Sequence, residues 1–298
     1  MVDDVSEGHT KRKDFRQFRG SGRRSSAGLA IGMGFAIARD AIARGLAAIG
    51  VTPNMLTAAG LVVTCGAGVC LAIGAGHAPT WEHPPILVPQ SHWVLVAAVV
   101  LFLASALDML DGALARVGKM QTRFGAVFDS TIDRCSDMAL FLGCAVYFAA
   151  RGNVTYVVLS ILALSSSVLI SYIKARAENL VEDCGAAYWQ RGERVAAILI
   201  AAFAGHIPAA LWELGILQWF TVWRRIRYAR GLLTGDGRPW EPTGRLRSVL
   251  MWRHPRGSIG YDVVTLTNIA FLIVGPWLWP FFYGTTDPLG QWLRGVTG

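Results

Sequence analysis

Residues 93–137 read WVLVAAVVLFLASALDMLDGALARVGKMQTRFGAVFDSTIDRCSD and contain the pattern that decides the fold. The first part, up to Leu107, has no charged residue, and five aspartates follow between positions 108 and 137. An apolar helix needs roughly 20 residues to cross the hydrocarbon core of a bilayer. A carboxylate at the centre of such a helix costs about 2.5–3.5 kcal/mol, so aspartates in a membrane segment indicate a function. The stretch therefore predicts membrane helices with an acidic site.

The spacing of the first four aspartates places them on shared helix faces. Asp108 and Asp111 are three residues apart, and Asp129 and Asp133 are four apart, so each pair lies on one side of its helix. The short connection at 117–124 makes the two helices antiparallel neighbours, which brings the four carboxylates together at one membrane surface. Four bare carboxylates would repel one another. Because Mg²⁺ and Mn²⁺ prefer oxygen ligands, the cluster predicts one or two divalent cations bound by these side chains.

Small and basic residues accompany the aspartates. Gly112 and Ala115 leave the helix surface bare beside the first pair, and Gly125 does the same one turn before the second pair. A ligand that approaches the backbone closely needs such a surface. Arg116 adds a guanidinium fork that suits phosphate. Asp137, one turn beyond the second pair, is better explained as a member of a buried polar network between helices.

The composition independently favours lipid as the solvent. Hydrophobic residues make up 53% of the 298 residues and charged residues only 16%, with a formal net charge of +8. A disordered chain would be poorer in apolar residues, and a soluble enzyme would carry about a quarter of its residues as charges. The five cysteines form no CxxC pair, so the sequence indicates neither a disulfide framework nor a zinc site.

The chain divides into five predicted segments. Residues 1–26 form a flexible basic cytoplasmic tail, and residues 27–50 form an amphipathic helix at the membrane interface. A transmembrane domain at 51–230 follows, then an Arg-rich cytoplasmic linker at 231–262 and a membrane-associated segment at 263–298. The apolar face of the interfacial helix consists of Ile31, Phe35, Ile42, Leu46 and Ile49, with Asp40 and Arg44 opposite.

Six apolar stretches within the domain are expected to cross the membrane as a six-helix bundle. They lie at residues 54–76, 93–116, 124–149, 154–177, 192–205 and 209–224. Thr52-Pro53-Asn54 ends the interfacial helix and starts the first span, because proline suits the first turn of a helix. A seventh stretch, 263–283, contains two prolines and ends in aromatic residues, so it either spans or lies at the interface as an aromatic belt. The prediction is an all-α integral membrane protein.

The basic residues predict the orientation in the membrane. Of the 28 lysines and arginines, all but Arg151 and Arg294 fall on one side of the predicted membrane. By the positive-inside rule that side is the cytoplasm, and it holds the N-terminus and the acidic site. A bacterial plasma membrane is the expected location. Because the positive charge is mostly topological, no nucleic-acid partner is expected.

The full acidic pattern is Asp108-x-x-Asp111-Gly112-x-x-Ala115-Arg116, eight residues, then Gly125-x-x-x-Asp129-x-x-x-Asp133. At every defining position it resembles the signature of the CDP-alcohol phosphotransferase (CDP-alcohol phosphatidyltransferase) family, over about residues 30–230 of this chain. The resemblance implies an enzyme of phospholipid biosynthesis. Such an enzyme transfers the phosphatidyl group of CDP-diacylglycerol to an alcohol, releases CMP and depends on Mg²⁺ or Mn²⁺. It also implies a homodimer with one site in each protomer.

The resemblance also implies a role for each signature residue. The metal ligands would be Asp108, Asp111, Asp129 and Asp133, and Asp133 would also act as the general base on the alcohol. The nucleotide would contact Asp108, Asp111, Gly112, Ala115, Arg116, Gly125 and Asp129.

A second resemblance concerns the acceptor. The Lys-Ala-Arg-Ala-Glu run at 174–178 and the Arg-x-x-Arg pair at 191–194 are similar to those of actinobacterial phosphatidylinositol-phosphate synthases. The residues that would bind the phosphate of inositol phosphate are Lys174, Arg191, Arg194 and Arg225. Inositol phosphate is the favoured acceptor. Gln190 and Gly192 depart from the Glu and Pro usual in that group, so glycerol 3-phosphate is kept as the alternative acceptor. A cation transporter with an acidic pathway is the alternative of another class, and the clustering of the carboxylates at one membrane end disfavours it.

Overall fold

The computed structural model describes residues 26–180, 188–234 and 259–297, and this part of the chain is helical. Ten α-helices follow one another: α1 Ser26–Ala48, α2 Pro53–Gly74, α3 Trp93–Val117, α4 Arg123–Ala150, α5 Val154–Glu178, α6 Arg191–Ala204, α7 Ile207–Trp212, α8 Gln218–Thr234, α9 Ile259–Leu278 and α10 Pro288–Thr297. A π-helical turn, Glu213–Leu217, joins α7 to α8, and a 3-10 turn, Pro280–Tyr283, follows α9. The predicted basic tail up to residue 25 and the centre of the Arg-rich linker lie outside the described residues.

Polar caps explain where the helices of the bundle begin. Thr52 precedes α2 and its side chain accepts a hydrogen bond from the backbone N–H of Met55, as expected from the Thr-Pro-Asn sequence. Thr122 caps α4 in the same way, accepting from the N–H of Gly125 at 2.9 Å. Gly205 has a φ of +74°, which ends α6 and turns the chain into α7. This turn lies at the predicted break between the fifth and sixth apolar stretches.

The core of the bundle is built around α2, which packs against α3 and α4. Close approach requires glycine, because a Cβ at Gly68 would lie 2.5 Å from the carbonyl oxygen of Ala139 on α4. Small residues allow such approach in membrane helices, where dispersion rather than water exclusion drives packing. Helices α3 and α4 both pack on α2 but make little direct contact with each other, so the prediction that they pack as antiparallel neighbours was wrong. Their acidic segments instead face each other across a cavity.

Among the described residues, four helices are long and apolar enough to cross a membrane, namely α2, α3, α5 and α9. Of the helices at the other predicted spans, α4 carries several charges and α6 has only 14 residues. Large apolar side chains point outward along the bundle, among them Val62, Phe102, Leu142 and Ile161. Such a surface is stabilised by lipid rather than by water.

Two predicted segments differ in detail from the structure. The sixth stretch was expected to end at 224, but α8 continues to Thr234, because its run of arginines does not break a helix that leaves the membrane. On α1, Leu46 packs with buried Ala43 against α3, a contact that was not predicted, whereas Ile49 is 75% exposed. From residue 36 onward, part of the apolar face of α1 therefore contacts the protein and part of it is exposed.

Helix α9, the second-last helix of the chain, runs alongside α6. Tyr261 near its start contacts Glu193 near the start of α6, and Leu272 near its end contacts His206 just beyond the end of α6. The two helices are therefore parallel neighbours. Helix α9 therefore packs along α6 rather than across the end of the bundle.

Candidate active site

Three carboxylates converge in the space between the acidic segments of α3 and α4. Asp108 and Asp111 on α3 and Asp129 on α4 each offer one oxygen, and these oxygens lie within 4.8 Å of one another. The group fits a hard divalent cation, since every donor is a carboxylate oxygen. The sequence prediction that helical spacing brings these three side chains together is consistent with this geometry.

Thr57 on α2 supports this group and was missed by the sequence analysis. Its hydroxyl donates a hydrogen bond to Oδ2 of buried Asp111 at 2.7 Å, and Pro53 O lies 3.0 Å away as an alternative acceptor. The bond fixes the orientation of the carboxylate. The signal in the sequence was the Thr-Pro-Asn start of α2, which places a second threonine one turn later, facing α3.

The fourth signature aspartate lies beside an arginine instead. Oδ1 of Asp133 is 2.9 Å from Nη1 of Arg191, and the same Nη1 donates to Oδ1 of Asp108 at 2.6 Å. Asp133 is outside the three-carboxylate group, although it was predicted among the metal ligands. Arg191 therefore joins the fourth carboxylate to the first, so its positive charge offsets two negative ones.

A cavity of about 540 Å³ opens onto these carboxylates. Its polar wall includes Asp108, Asp111, Asp129, Asp133, Asp137 and Arg191, together with the bare surfaces of Gly60 and Gly112. Leu61, Leu101, Leu140 and Leu199 form an apolar wall. A cavity with one charged side and one apolar side suits an amphiphilic ligand.

Three of the predicted nucleotide contacts are not in the wall of this cavity. Ala115, Arg116 and Gly125 are absent from its lining, although Nη1 of exposed Arg116 lies 3.5 Å from where a Cβ of Gly112 would be. Gly125 has a local reason to be small, since its Cβ would lie 3.0 Å from Oγ1 of Thr122, which caps α4.

A second cavity, of about 180 Å³, brings together all four residues predicted to bind the acceptor phosphate. Its lining includes Lys174, Arg191, Arg194 and Arg225, with Ser171, Gln190 and Arg134 beside them. The two cavities share Asp133, Asp137 and Arg191 in their walls. A basic chamber therefore adjoins the acidic one.

The basic residues of the second cavity differ in how firmly they are held. Arg194 is 2% exposed, donates to Oδ2 of Asp137 at 2.7 Å and contacts Trp189 O at 3.3 Å. Arg225 is also buried and donates to the carbonyl oxygen of Ile170. Asp137 thus has the packing role expected from the sequence. Lys174 is exposed and lies 3.7 Å from Glu178, an ion pair of small energy that a ligand can displace.

Arg134, Ser171 and Gln190 in the second cavity were not predicted. Arg134 follows the signature directly and donates to the carbonyl oxygen of Ser130 one turn earlier. Arg134 and Gln190 each adjoin a residue predicted from the sequence, and Ser171 lies three residues before Lys174, so proximity along the chain was the available signal.

The sequence of residues 50–226 matches the model of the family described as CDP-alcohol phosphatidyltransferase. The chain belongs to the CDP-alcohol phosphatidyltransferase family. Membership makes it a transferase of phospholipid biosynthesis that uses a divalent cation, and the apolar helices make it an integral membrane protein. The carboxylate group agrees with that cofactor, and the transporter alternative is not favoured.

Relatives in the family include proteins named for inositol lipids. The chain is 32% identical over 192 residues to an archaetidylinositol phosphate synthase of Pyrococcus horikoshii, covering 64% of this chain and 90% of the relative. It is 35% identical over 181 residues to the phosphatidylinositol phosphate synthase of Mycobacterium tuberculosis, covering 60% of this chain and 75% of the relative.

Solved structures of the Mycobacterium tuberculosis phosphatidylinositol phosphate synthase share the fold. The structure with CDP-DAG bound matches with a TM-score of 0.55 at 29% identity, covering 67% of this chain and 95% of that one. The structure in complex with manganese and citrate matches with a TM-score of 0.53 at 29% identity, covering 67% and 90%.

Proposed function

We propose that this enzyme transfers the phosphatidyl group of CDP-diacylglycerol to inositol phosphate, forming phosphatidylinositol phosphate and CMP. The observation that carries the proposal is the pair of adjoining cavities, one acidic with an apolar wall and one basic, which share Asp133 and Arg191. A lipid-linked diphosphate suits the first chamber and a phosphorylated acceptor suits the second. The named relatives support the inositol phosphate acceptor over glycerol 3-phosphate.

On the donor side, Asp108, Asp111 and Asp129 would hold Mg²⁺ or Mn²⁺, with Thr57 fixing Asp111. When bound, the cation would neutralise charge on the diphosphate and stabilise the CMP leaving group. The leucine wall would receive the acyl chains. The nucleotide would lie along Asp108, Asp111, Gly112, Ala115, Arg116, Gly125 and Asp129.

On the acceptor side, Asp133 would act as the general base. Its carboxylate would take the proton of the acceptor hydroxyl, while the hydroxyl oxygen bonds to the phosphatidyl phosphorus and the bond from phosphorus to CMP breaks. Arg191 contacts both Asp108 and Asp133, so it stands where the donor and acceptor meet. Lys174, Arg191, Arg194 and Arg225 would bind the acceptor phosphate.

The proposed location and orientation of the enzyme follow from its membrane segments. Six membrane-crossing segments at the predicted spans, with α9 as a seventh, would place the N-terminus and both cavities on the cytoplasmic side of a bacterial plasma membrane. The distribution of lysine and arginine supports this orientation. The interfacial helix α1 would lie at the membrane surface, and the enzyme would act as a homodimer.

The direct test is an acceptor panel with the purified full chain in detergent, CDP-diacylglycerol and Mn²⁺. Labelled inositol phosphate is expected to yield CMP and a labelled phosphorylated lipid, with glycerol 3-phosphate and free inositol as parallel arms. Faster turnover with either of those would contradict the proposed acceptor. Absence of turnover with every arm would contradict the reaction on this chain.

Matched substitutions on α5 test the second cavity. Lys174→Gln removes a cavity-lining cation and should raise KM for inositol phosphate roughly tenfold, as expected for a charge-assisted contact. Arg176→Gln removes an exposed cation two residues away that does not line the cavity, and should leave KM within about twofold. Equal effects of both would indicate general electrostatic attraction rather than a site.

A further inference from the structure

The helix α9 lies beyond the part of the chain that matches the family, which ends at residue 226. Although α9 is an addition to the family domain, it does not pack only through apolar contacts. A cavity of about 200 Å³ separates part of α9 from α6, and polar side chains cross the gap. These side chains therefore add polar contacts to the apolar packing of buried Val264 and Leu272 on α9.

Hydrogen bonds between described residues connect α9 to the start of α6. The hydroxyl of Tyr261 donates to Oε1 of Glu193 at 2.8 Å. Nδ2 of Asn268 donates to the hydroxyl of Tyr188 at 3.1 Å, and that hydroxyl donates to Oγ1 of Thr265 at 3.2 Å. All contacts from α9 in this group reach residues 188–193, the entry to α6.

The same short segment carries the arginines of the active site. Glu193 lies between Arg191, which contacts Asp108 and Asp133, and Arg194, which contacts Asp137. The carbonyl oxygen of buried Trp189 accepts from Arg194 as well. Any shift of this segment would therefore move both guanidinium groups relative to the carboxylates.

We infer that α9 positions the 188–194 segment, with Tyr261 and Asn268 as positioning residues for the two arginines. The inference rests on the proposed function, in which those arginines bind the acceptor phosphate. Neither residue lines the acidic or the basic cavity, so their effect passes through the backbone of α6. The competing explanation is that α9 only anchors the chain in the membrane.

Kinetics of the full chain distinguish positioning from anchoring. Tyr261→Phe removes one hydroxyl and should raise KM for inositol phosphate roughly five- to twentyfold, as expected for a lost hydrogen bond to a charged group, with KM for CDP-diacylglycerol within about twofold. Asn268→Ala should act in the same direction. The matched control is Thr267→Val, whose lost hydroxyl bonds only to Val263 on the same helix, and it should change neither KM.

Substitutions of Glu193, which accepts the hydrogen bond of Tyr261, provide a second comparison. Glu193→Gln retains an oxygen that accepts from Tyr261 and should keep KM for inositol phosphate within about threefold, whereas Glu193→Ala should match Tyr261→Phe. Equal KM values for Tyr261→Phe and Thr267→Val, with only a lower melting temperature, would overturn the inference in favour of anchoring.

Hydrogen exchange gives a readout that does not depend on turnover. Peptides covering residues 188–194 should exchange faster in Tyr261→Phe than in the unmodified chain, and Thr267→Val should leave them unchanged. Unchanged exchange in Tyr261→Phe would overturn the inference even if the enzyme is active. Faster exchange in a chain that turns over no acceptor would support the positioning role of α9 and contradict only the proposed function.

Discussion

The two ends of the helix bundle use the same residue types for opposite purposes. At the acidic end, Arg191 is shared by Asp108 and Asp133, and two cavities open among the charges. At the other end, buried Glu82 accepts from the hydroxyl of Tyr283 at 2.7 Å and lies 2.8 Å from Nε2 of His206. Those partners come from distant parts of the chain, so Glu82 serves the fold.

Asp287 is a second carboxylate that serves the fold. Its Oδ1 accepts from the backbone N–H and hydroxyl of Thr155 at 2.9 and 2.8 Å, and from Gly290 N–H at 3.1 Å. A carboxylate with internal donors stabilises a structure, whereas carboxylates crowded together require a ligand to become favourable. Neutralising a carboxylate should therefore reduce activity at one end and stability at the other.

Removing the divalent cation should have the largest effect, because the acidic end depends on it. EDTA treatment is expected to abolish CMP release, and added Mn²⁺ or Mg²⁺ should restore it. Since a cation that binds the folded state stabilises that state by mass action, Mn²⁺ should also raise the melting temperature. Asp108→Asn should lose this thermal shift. A shift that survives in this variant would place the cation elsewhere.

Asp129→Asn should lower the rate of CMP release roughly 100-fold or more, because it removes one of three converging carboxylates. Its melting temperature without metal should not fall, since one charge of a repelling group is gone. The comparison variant is Asp287→Asn, which should melt at a lower temperature yet retain activity when folded. A large loss of stability in Asp129→Asn would contradict the conclusion that the carboxylates of the acidic end serve activity rather than stability.

Thr57→Val should lower CMP release roughly 10- to 100-fold, the range typical of residues that orient a metal ligand. The substitution keeps the shape of the side chain and removes only the donor to Asp111. Thr64→Val on the same helix removes a hydroxyl that bonds to Gly60 O of α2 and so provides a milder comparison. The apparent affinity for Mn²⁺ should fall in Thr57→Val, and an unchanged affinity would contradict the orienting role.

The smallest effect is expected from Glu82→Gln, a stability loss of about 1.5–3 kcal/mol measured by thermal unfolding. Burial raises the pKa of Glu82, but hydrogen bonds from His206 and Tyr283 outweigh it and hold the pKa below the ordinary 4.5. A lowered carboxyl pKa stabilises the fold above about pH 4.5, and this stabilisation is lost as the pH falls through the folded-state value. Glu82→Gln should remove that part of the pH dependence of stability. An unchanged dependence of the melting temperature on pH would contradict this role of Glu82.

The sequence alone predicted the helices and the three carboxylates that converge, although it placed Asp133 with them. Apolar runs long enough to cross a bilayer, and prolines or glycines between them, mark α2 to α6 within a few residues. The spacing of Asp108, Asp111 and Asp129 needs only helical geometry and a short connection to bring three carboxylates together. These properties depend on neighbouring residues, and local chemistry determines them.

Contacts between distant residues could not be derived in this way. The pairing of Arg191 with Asp108 and Asp133, the support of Asp111 by Thr57 and the docking of α9 on α6 join side chains far apart in the chain. Helix periodicity predicts which face of its own helix a residue occupies, but it does not predict which face of another helix packs against it. Only the tertiary packing decided those partners, because they depend on how closely small residues such as Gly68 let the helices approach.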